Sequence, residues 1–434
     1  MNSSPARIHF SHHFALNAWA MAAAFSTYFF MYMFRKPFTA AAFEVDTETV
    51  WDGKAAIVAS QVIGYFLSKL IGIRVISQMP PGRRATALLA LIGLAQASLL
   101  LFAVVPAPWH LVAIFLNGLP LGMVFGLVLG FLEGRRLTEA LVAGLCASFI
   151  IAGGVAKSIG QWMLTTLTSH FDFSLIEAER WMPFAVGCLF MLPIAISTWM
   201  LTRIPPPDEQ DQLQRSVREP MNQHDRRQML RRYGLGLIGV ALFYLLVTVM
   251  RSLRDDFAPQ ILSGLGATVK ASDYSWIDTQ VAVFILVVLG LTSAVRGNRA
   301  ALQTSLGISL AGFVMIGLAL WFAETLTPIG FMVLIGAGLY LPYVAVHTTV
   351  FERLIALTRD RGNLGFLMYL VDSIGYLAYV GVLFLPRSVW GDTETADGAF
   401  FNDFRWYCWI GTLTSIVATS FAMIYFSQLK AERD

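Results

Sequence analysis

Two arginines within otherwise apolar runs are the residues of this sequence best suited to binding a charged molecule. Arg35 lies in "STYFFMYMFRKPFTAAAF" and Arg251 lies in "LFYLLVTVMRSLRDDF", 216 positions later. A tyrosine precedes each arginine by seven positions, Tyr28 in the first run and Tyr244 in the second. Seven residues are nearly two helical turns, so each tyrosine shares a face with its arginine. A guanidinium offers paired donors that match phosphate or carboxylate oxygens, and the pattern predicts an anion site.

Further ionisable side chains lie inside long apolar runs, where a charge is costly and usually has a function. They are candidates for coupling a proton to the site or for gating access to it. Lys69 is in mid-helix, where it either serves the site or pairs with an acidic neighbour. Lys157 in "AKSIG" and Asp372 in "VDSIG" hold equivalent positions with opposite charge, and they either neutralise each other or act separately. His347 binds substrate or a proton, or hydrogen-bonds between helices. Glu352 and Asp372 are the candidate proton carriers.

The sequence contains no Walker motif, no zinc-ligand spacing and no nucleophile elbow. An ATP-driven pump or a membrane enzyme needs such a constellation, so neither class is favoured. The three cysteines, Cys146, Cys188 and Cys408, neither pair by spacing nor suggest a metal site. We therefore expect no cofactor, no metal and no nucleic-acid partner.

The composition identifies an all-α integral membrane protein. Of 434 residues, 56% are hydrophobic and only 14% are charged, against about 25% charged in soluble domains. A spanning helix needs about 20 mostly apolar residues, and the first run is too long for a cleaved signal peptide. Twelve spans are predicted, at residues 14–43, 55–77, 84–106, 109–132, 138–166, 181–202, 233–263, 276–296, 301–323, 327–355, 363–386 and 402–427.

The distribution of charge predicts the orientation of these spans. Basic residues mark one set of connections: Arg83, Arg84, Arg135, Arg136, the Arg226–Arg232 cluster, Arg296, Arg299, Arg353, Arg359 and Arg361. Acidic residues mark the other: Glu44, Asp46, Glu48, Asp52, Asp172, Glu177, Glu179, Asp392, Glu394 and Asp397. Because Lys and Arg favour cytoplasmic loops, both termini are expected in the cytoplasm. The bilayer is expected to be a bacterial inner membrane.

Matches at a common offset of 215 to 220 positions indicate an internal repeat. The longest polar interval separates six spans from six. We predict an N-terminal half over residues 1–203, a linker over 204–232 that is helical near its end, and a C-terminal half over 233–434. Two six-helix halves in parallel repeat are the architecture of major facilitator transporters.

The depth of Arg35 depends on where the first span ends. A continuous helix over 14–43 would be about 45 Å long and would place Arg35 about 12 Å below its outer end. Pro37 could bend such a helix without ending it. Alternatively, the helix ends at Phe34 and the charges lie at the outer surface. We expect Lys36, about 100° round the helix from Arg35, to serve packing or an ion pair.

Three short motifs carry a family resemblance. They are "YFFMYMFRKPF", "GYFLSK" and "MRSLRDDFAPQIL". They resemble the first-, second- and seventh-helix motifs of the organophosphate:phosphate antiporters of the major facilitator superfamily, the glycerol-3-phosphate and hexose-phosphate transporters. The resemblance implies that Arg35 and Arg251 hold a phosphate from opposite halves, while Lys69 adds positive charge to the cavity. The fifth-helix histidine of that family would fall near Ile150 or Ile151, and none is present.

The chain also resembles an uncharacterised bacterial group of major-facilitator-like proteins. Together these features predict a monomeric secondary transporter of a small organic anion, a phosphorylated metabolite exchanged for phosphate. The alternatives are proton-coupled transport of a carboxylate or other solute, and a transporter-derived sensor that binds a ligand and signals to a partner protein.

Cysteine labelling of intact cells should find Glu48 and Glu394 outside and Arg227 inside, because the basic connections face the cytoplasm. The experiment replaces each residue singly by cysteine and measures its reaction with a membrane-impermeant reagent. Termini on opposite sides of the membrane would contradict both the number of spans and the repeat.

Overall fold

The computed structural model describes residues 13–43, 53–77, 79–106, 108–132, 138–206, 223–292, 295, 297–358, 364–385 and 396–428. Within these residues the regular structure is helical throughout. The first half contains α1 (His13–Met31), α2 (Lys54–Ser77), α3 (Arg84–Val104), α4 (Trp109–Leu121), α5 (Val124–Leu132), α6 (Thr138–His170) and α7 (Leu175–Thr202). The second contains α8 (Gln223–Asp256), α9 (Ala258–Gly264), α10 (Ala271–Thr292), α11 (Asn298–Trp321), α12 (Pro328–Ala345), α13 (Phe351–Thr358), α14 (Leu364–Leu383) and α15 (Ala396–Ser427).

These helices form the twelve predicted spans. Among the described residues, ten stretches are long and apolar enough to cross a membrane, and α1 and α14 supply the other two. Three spans consist of two helices in sequence: α4 with α5, α8 with α9, and α12 with α13. The prediction of an all-α, twelve-helix, two-repeat membrane protein is confirmed.

The interval between the halves is described only in part. Helix α8 begins at Gln223, so the end of the interval is helical as predicted. Residues 207–222 lie outside the described residues, and the domain limits stay a prediction. Glu48 and Glu394 also lie outside them, so the orientation of the termini stays a prediction as well.

The sixth span begins earlier than predicted. Helix α7 starts at Leu175, where the side chain of Ser174 accepts a hydrogen bond from the Glu177 amide and the Glu177 carboxylate accepts one from the Ser174 amide. This capping box satisfies two amides that a helix start leaves free. Glu177 and Glu179 therefore lie in a helix, and Glu179 accepts bonds of 3.1 and 3.2 Å from the amides of Ala42 and Phe43.

Glycines let α2 and α4 pack with their backbones close together. A Cβ atom on Gly118 would lie 2.1 Å from the Gln61 carbonyl oxygen, and one on Gly64 would lie 2.2 Å from that of Phe115. Small residues at such contacts permit the dense packing that membrane helices rely on. Gly118 of the fourth span therefore permits close helix packing.

The two halves meet along two helix pairs, α2 with α14 and α6 with α10. At the second pair a Cβ atom on Gly154 would lie 2.2 Å from the Tyr274 carbonyl oxygen. Ser158 donates to the Ala271 carbonyl and accepts from the Ser275 amide at 3.1 Å. These close contacts bring buried residues of both halves to one central region.

Gly118→Ala should lower the stability of the protein, because its Cβ atom would meet the backbone of α2. Overpacking of this kind costs about 1–3 kcal/mol, and we expect a lower thermal unfolding midpoint in detergent. Gly93→Ala is the matched control: no atom lies within 4 Å of its Cβ position. Equal midpoints for the two variants would contradict the close packing of α2 and α4.

Candidate functional site

The first span is broken in the middle of the protein. Helix α1 ends at Met31 and continues as two 3₁₀ turns, Tyr32–Phe34 and Pro37–Ala40. Arg35 and Lys36 separate the two turns, and Pro37 begins the second one. The prediction of a continuous helix over 14–43 is therefore wrong.

The alternative is right that the helical turn ends at Phe34, but it is wrong in placing the charges at the outer surface. Arg35 is only 4% exposed. The broken backbone around it is held by side chains of neighbouring helices. Asn117 donates to the Phe34 carbonyl at 3.1 Å, and Gln61 donates to the Arg35 carbonyl at 3.0 Å and to the Asn117 side-chain oxygen at 2.7 Å. Backbone groups freed at membrane depth need such partners.

The guanidinium of Arg35 is surrounded by aromatic rings. Its Cζ atom lies 3.8 Å from the ring centroid of Tyr65, 5.7 Å from that of Tyr32 and 6.0 Å from that of Tyr376. Among the described residues it forms no ion pair, and its buried Nε atom has no hydrogen-bond partner. Arg35 therefore presents a charge that no described carboxylate balances.

Arg251 approaches the same aromatic cluster from the second half. Its Cζ atom lies 4.3 Å from the ring centroid of Tyr343, and its Nη1 atom lies 3.1 Å from Oδ2 of Asp255. Tyr32 and Tyr376 lie close enough to both arginines to interact with them electrostatically. The two arginines thus face one cluster, but only Arg251 has a carboxylate bound to it.

A small central cavity of about 20 Å³ lies within this cluster. Both halves line it: Tyr28, Tyr32, Tyr65, Lys69, Phe125 and Phe149 come from the first, and Tyr343, His347, Asp372 and Tyr376 from the second. The predicted site residues Tyr28, Lys69, His347 and Asp372 therefore meet here. The hydroxyl of Tyr244 reaches the cavity wall by donating to Asp372.

Lys69 pairs with Asp372 across the two halves. This contact settles two of the questions raised by the sequence. Lys69 has an acidic partner, and Asp372 is not neutralised by Lys157. Lys157 instead donates to the Gly153 carbonyl at 3.2 Å.

A second ion pair between the halves joins Lys36 to Asp256. Lys36 therefore serves an ion pair, as predicted. Tyr379 donates to the other oxygen of Asp256 at 3.0 Å. On the same side of the protein Lys54 donates to the Thr39 carbonyl at 2.6 Å and to the Gln260 side chain at 3.0 Å.

Sequence reasoning missed the carboxylates that accompany Arg251. Asp255 also accepts from Arg254 at 3.1 Å and from Tyr340 at 2.8 Å, and Arg254 bonds to Asp278 at 3.0 Å. The run "RSLRDDF" carries four charges at the end of an apolar segment, which could have indicated this cluster.

Glu352 lies apart from the cavity lining. It is half-buried in α13, beyond the segment that carries His347. Its predicted role as a proton carrier gains no support from contacts in the described site.

Buried cations outnumber buried carboxylates. Among the described residues seven cationic side chains and five carboxylates are buried. The cations are Arg35, Lys36, Lys54, Lys69, Lys157, Arg251 and Arg254, and the carboxylates are Glu179, Asp255, Asp256, Asp278 and Asp372. Burying a charge is costly unless it is paired. This excess of positive charge favours an anionic ligand at the unbalanced Arg35.

The double replacement of Lys69 and Asp372 should destabilise the protein less than the sum of the two single replacements. Lys69→Ala and Asp372→Ala each leave a buried charge without its partner, at a cost of about 3–5 kcal/mol. The double variant removes both charges. Thermal and denaturant unfolding of purified protein measure the coupling.

The matched control is the pair Lys157→Ala and Asp372→Ala, whose effects should add because the two residues are not in contact. Additive losses for Lys69 with Asp372 would contradict the ion pair between the halves.

Solved structures similar to this chain are transporters. They include a D-xylose–proton symporter (TM-score 0.62, 14% identity, 95% of this chain and 97% of that chain). A bacterial homologue of the human lysosomal transporter Spinster gives the same values. A nucleoside transporter has a TM-score of 0.59 and 16% identity over 95% of this chain and 100% of that chain. These similarities establish the major facilitator fold.

Comparison by sequence gives a family but no characterised relative. No curated protein matches the chain significantly. One family model, described as the family of unknown function DUF5690, matches residues 37–429. The match begins at Pro37, after α1 and Arg35. It covers the rest of the first half and nearly all of the second half. The chain therefore belongs to the DUF5690 family.

Proposed function

We propose that this protein is a secondary transporter that moves a small organic anion across a membrane by alternating access. The observation that carries the proposal is Arg35, a buried guanidinium that no carboxylate of the described residues balances. It lies beside a cavity lined by both halves. In transporters with this fold, substrates bind between the repeats and the halves rock around the site.

The ion pairs between the halves supply a means of coupling binding to movement. Lys36 with Asp256 and Lys69 with Asp372 join the two halves. An anion at Arg35 would also attract Lys69 and so compete with Asp372. A ligand that changes the stability of one such pair binds the two conformations with different affinity, which is what shifts their populations.

The finer proposal is a phosphorylated metabolite exchanged for inorganic phosphate. Its support is the chemical match between a planar guanidinium and phosphate oxygens, together with the motifs around Arg35, Lys69 and Arg251. The tyrosine hydroxyls lining the cavity supply further donors to such oxygens. A carboxylate would use the same arginine, so substrate competition must separate the two.

Arg35→Lys should weaken anion binding although it keeps the positive charge. A lysine cannot make the planar two-pronged contact, and hydrogen bonds to charged groups contribute about 1.5–3 kcal/mol each. We expect a loss in affinity of about tenfold or more for inorganic phosphate, measured by equilibrium binding and by exchange of labelled phosphate in proteoliposomes.

Arg405→Lys is the control, since Arg405 lies away from the cavity and contacts the exposed Glu324 at 3.8 Å. Unchanged binding and exchange in Arg35→Lys would remove the main support for an anion transporter. Phosphate binding without flux in the wild type would indicate the sensor. Exchange of carboxylates but not of phosphate would support the anion site and reject the finer proposal.

A further inference from the structure

His347 lies in an irregular turn of the tenth span. The segment Val346–Val350 is π-helical and stands between α12 and α13. Pro342, four residues before Val346, lies inside α12 and lacks a backbone N–H. Such π-helical turns replace the regular α-helical hydrogen bonds by bonds between residues five apart, and they occur frequently at functional sites. Here the turn carries a buried imidazole, 5% exposed, in the wall of the central cavity.

The hydrogen bond on one side of the ring defines its tautomer. Nδ1 of His347 lies 3.0 Å from the Tyr343 carbonyl oxygen. A carbonyl oxygen only accepts, so Nδ1 carries a hydrogen. In the neutral imidazole Nε2 is then a bare acceptor.

The other side of the ring faces a hydroxyl and a carboxylate. Nε2 lies 3.4 Å from the Tyr244 hydroxyl oxygen and 3.8 Å from Oδ1 of Asp372. The Tyr244 hydroxyl donates its hydrogen to Asp372. The hydroxyl oxygen of Tyr244 therefore turns a lone pair towards Nε2. In the neutral ring Nε2 has no hydrogen to donate to this oxygen. A protonated ring donates to Tyr244 and faces the carboxylate directly.

Titratable and charged groups reach this cluster from several elements. Those described are Lys69 of α2, Tyr244 of α8, Tyr343 of α12, Asp372 of α14 and Cys146 of α6, which interacts electrostatically with Asp372. Phe125 of α5 places its ring against the imidazole at 6.4 Å. On α13, Arg353 donates to Asn298 of α11, and Glu352 also has a partner. Asp372 is the carboxylate that a proton on Nε2 would meet.

We propose that His347 Nε2 binds a proton in the same cycle in which the cavity binds its anion, so that the two move together. This inference rests on the proposed anion transport. The proton comes from water on one side, occupies the Nε2 lone pair, and returns to water on the other side when the anion leaves. Asp372 then faces two cations, Lys69 and the imidazolium, and the cavity gains one positive charge. Each ligand therefore strengthens the binding of the other.

The test uses the full chain in proteoliposomes with labelled inorganic phosphate as the probe. Two modes are compared: exchange, with equal phosphate on both sides, and net uptake into phosphate-free vesicles with the outside made acidic. Wild type should accumulate phosphate when driven by the pH gradient. His347→Asn should lose this accumulation by about tenfold. Its exchange, weaker than that of the wild type, should no longer increase when both sides are made acidic.

His110→Asn is the matched control. His110 is buried in α4 and its ring contacts Phe102, outside the cavity lining. It should behave as the wild type in both modes. Equal accumulation by His347→Asn and the wild type would overturn the proton site. Exchange without any gradient-driven uptake by the wild type would also overturn it, while leaving anion exchange intact.

A second measurement keeps the proton site testable if phosphate is not transported at all, an outcome that would reject phosphate as substrate. Purified wild type and His347→Asn are shifted from neutral to mildly acidic pH, and proton uptake is recorded with an indicator dye. The variant should take up about one proton fewer per molecule. Equal uptake by wild type and His347→Asn would reject the proposal.

Discussion

The cost of burying the Arg35 guanidinium is the constraint on which the centre of this protein depends. A charge placed at membrane depth is costly by several kcal/mol unless it meets a partner. In the described part of the chain its contacts are three tyrosine rings and no carboxylate. Cation–π contacts of about 0.5–2 kcal/mol each recover part of that cost. The remainder is available to an anion, because the anion supplies the counter-charge.

Several of the spans contain irregular backbone. The first span breaks at Arg35 and Lys36, the seventh is interrupted at Phe257, and the tenth contains a π-helical turn at Val346–Val350. Each interruption leaves backbone groups that a regular helix would satisfy, and inside a bilayer these need protein partners. At the first break Gln61 and Asn117 provide them.

The sequence predicts the helical architecture better than it predicts which charged side chains pair with each other. Apolar length and charged connections are local features, and they predicted twelve helices in two halves. Arg35, Lys69 and Asp372 could be selected because a charge in an apolar run is conspicuous. The partners of these residues could not be identified in this way, because an ion pair depends on which helices face each other. The repeat suggested Lys157 for Asp372, yet α2 lies against α14 and α6 lies against α10, so Lys69 meets Asp372 instead. Equivalent positions in a repeat lie in different halves and need not touch.

The repeat also conceals a physical asymmetry between its two arginines. Arg251 shares Asp255 with Arg254, whereas Arg35 has only aromatic contacts among the described residues. An anion would therefore gain more from the first half, where the charge is unbalanced. The second half instead contributes Asp372, Tyr244 and His347, which accept and donate hydrogens in one connected cluster. The unbalanced charge thus lies in the first half and the connected hydrogen-bonding cluster in the second, and Lys69 joins them through its bond to Asp372.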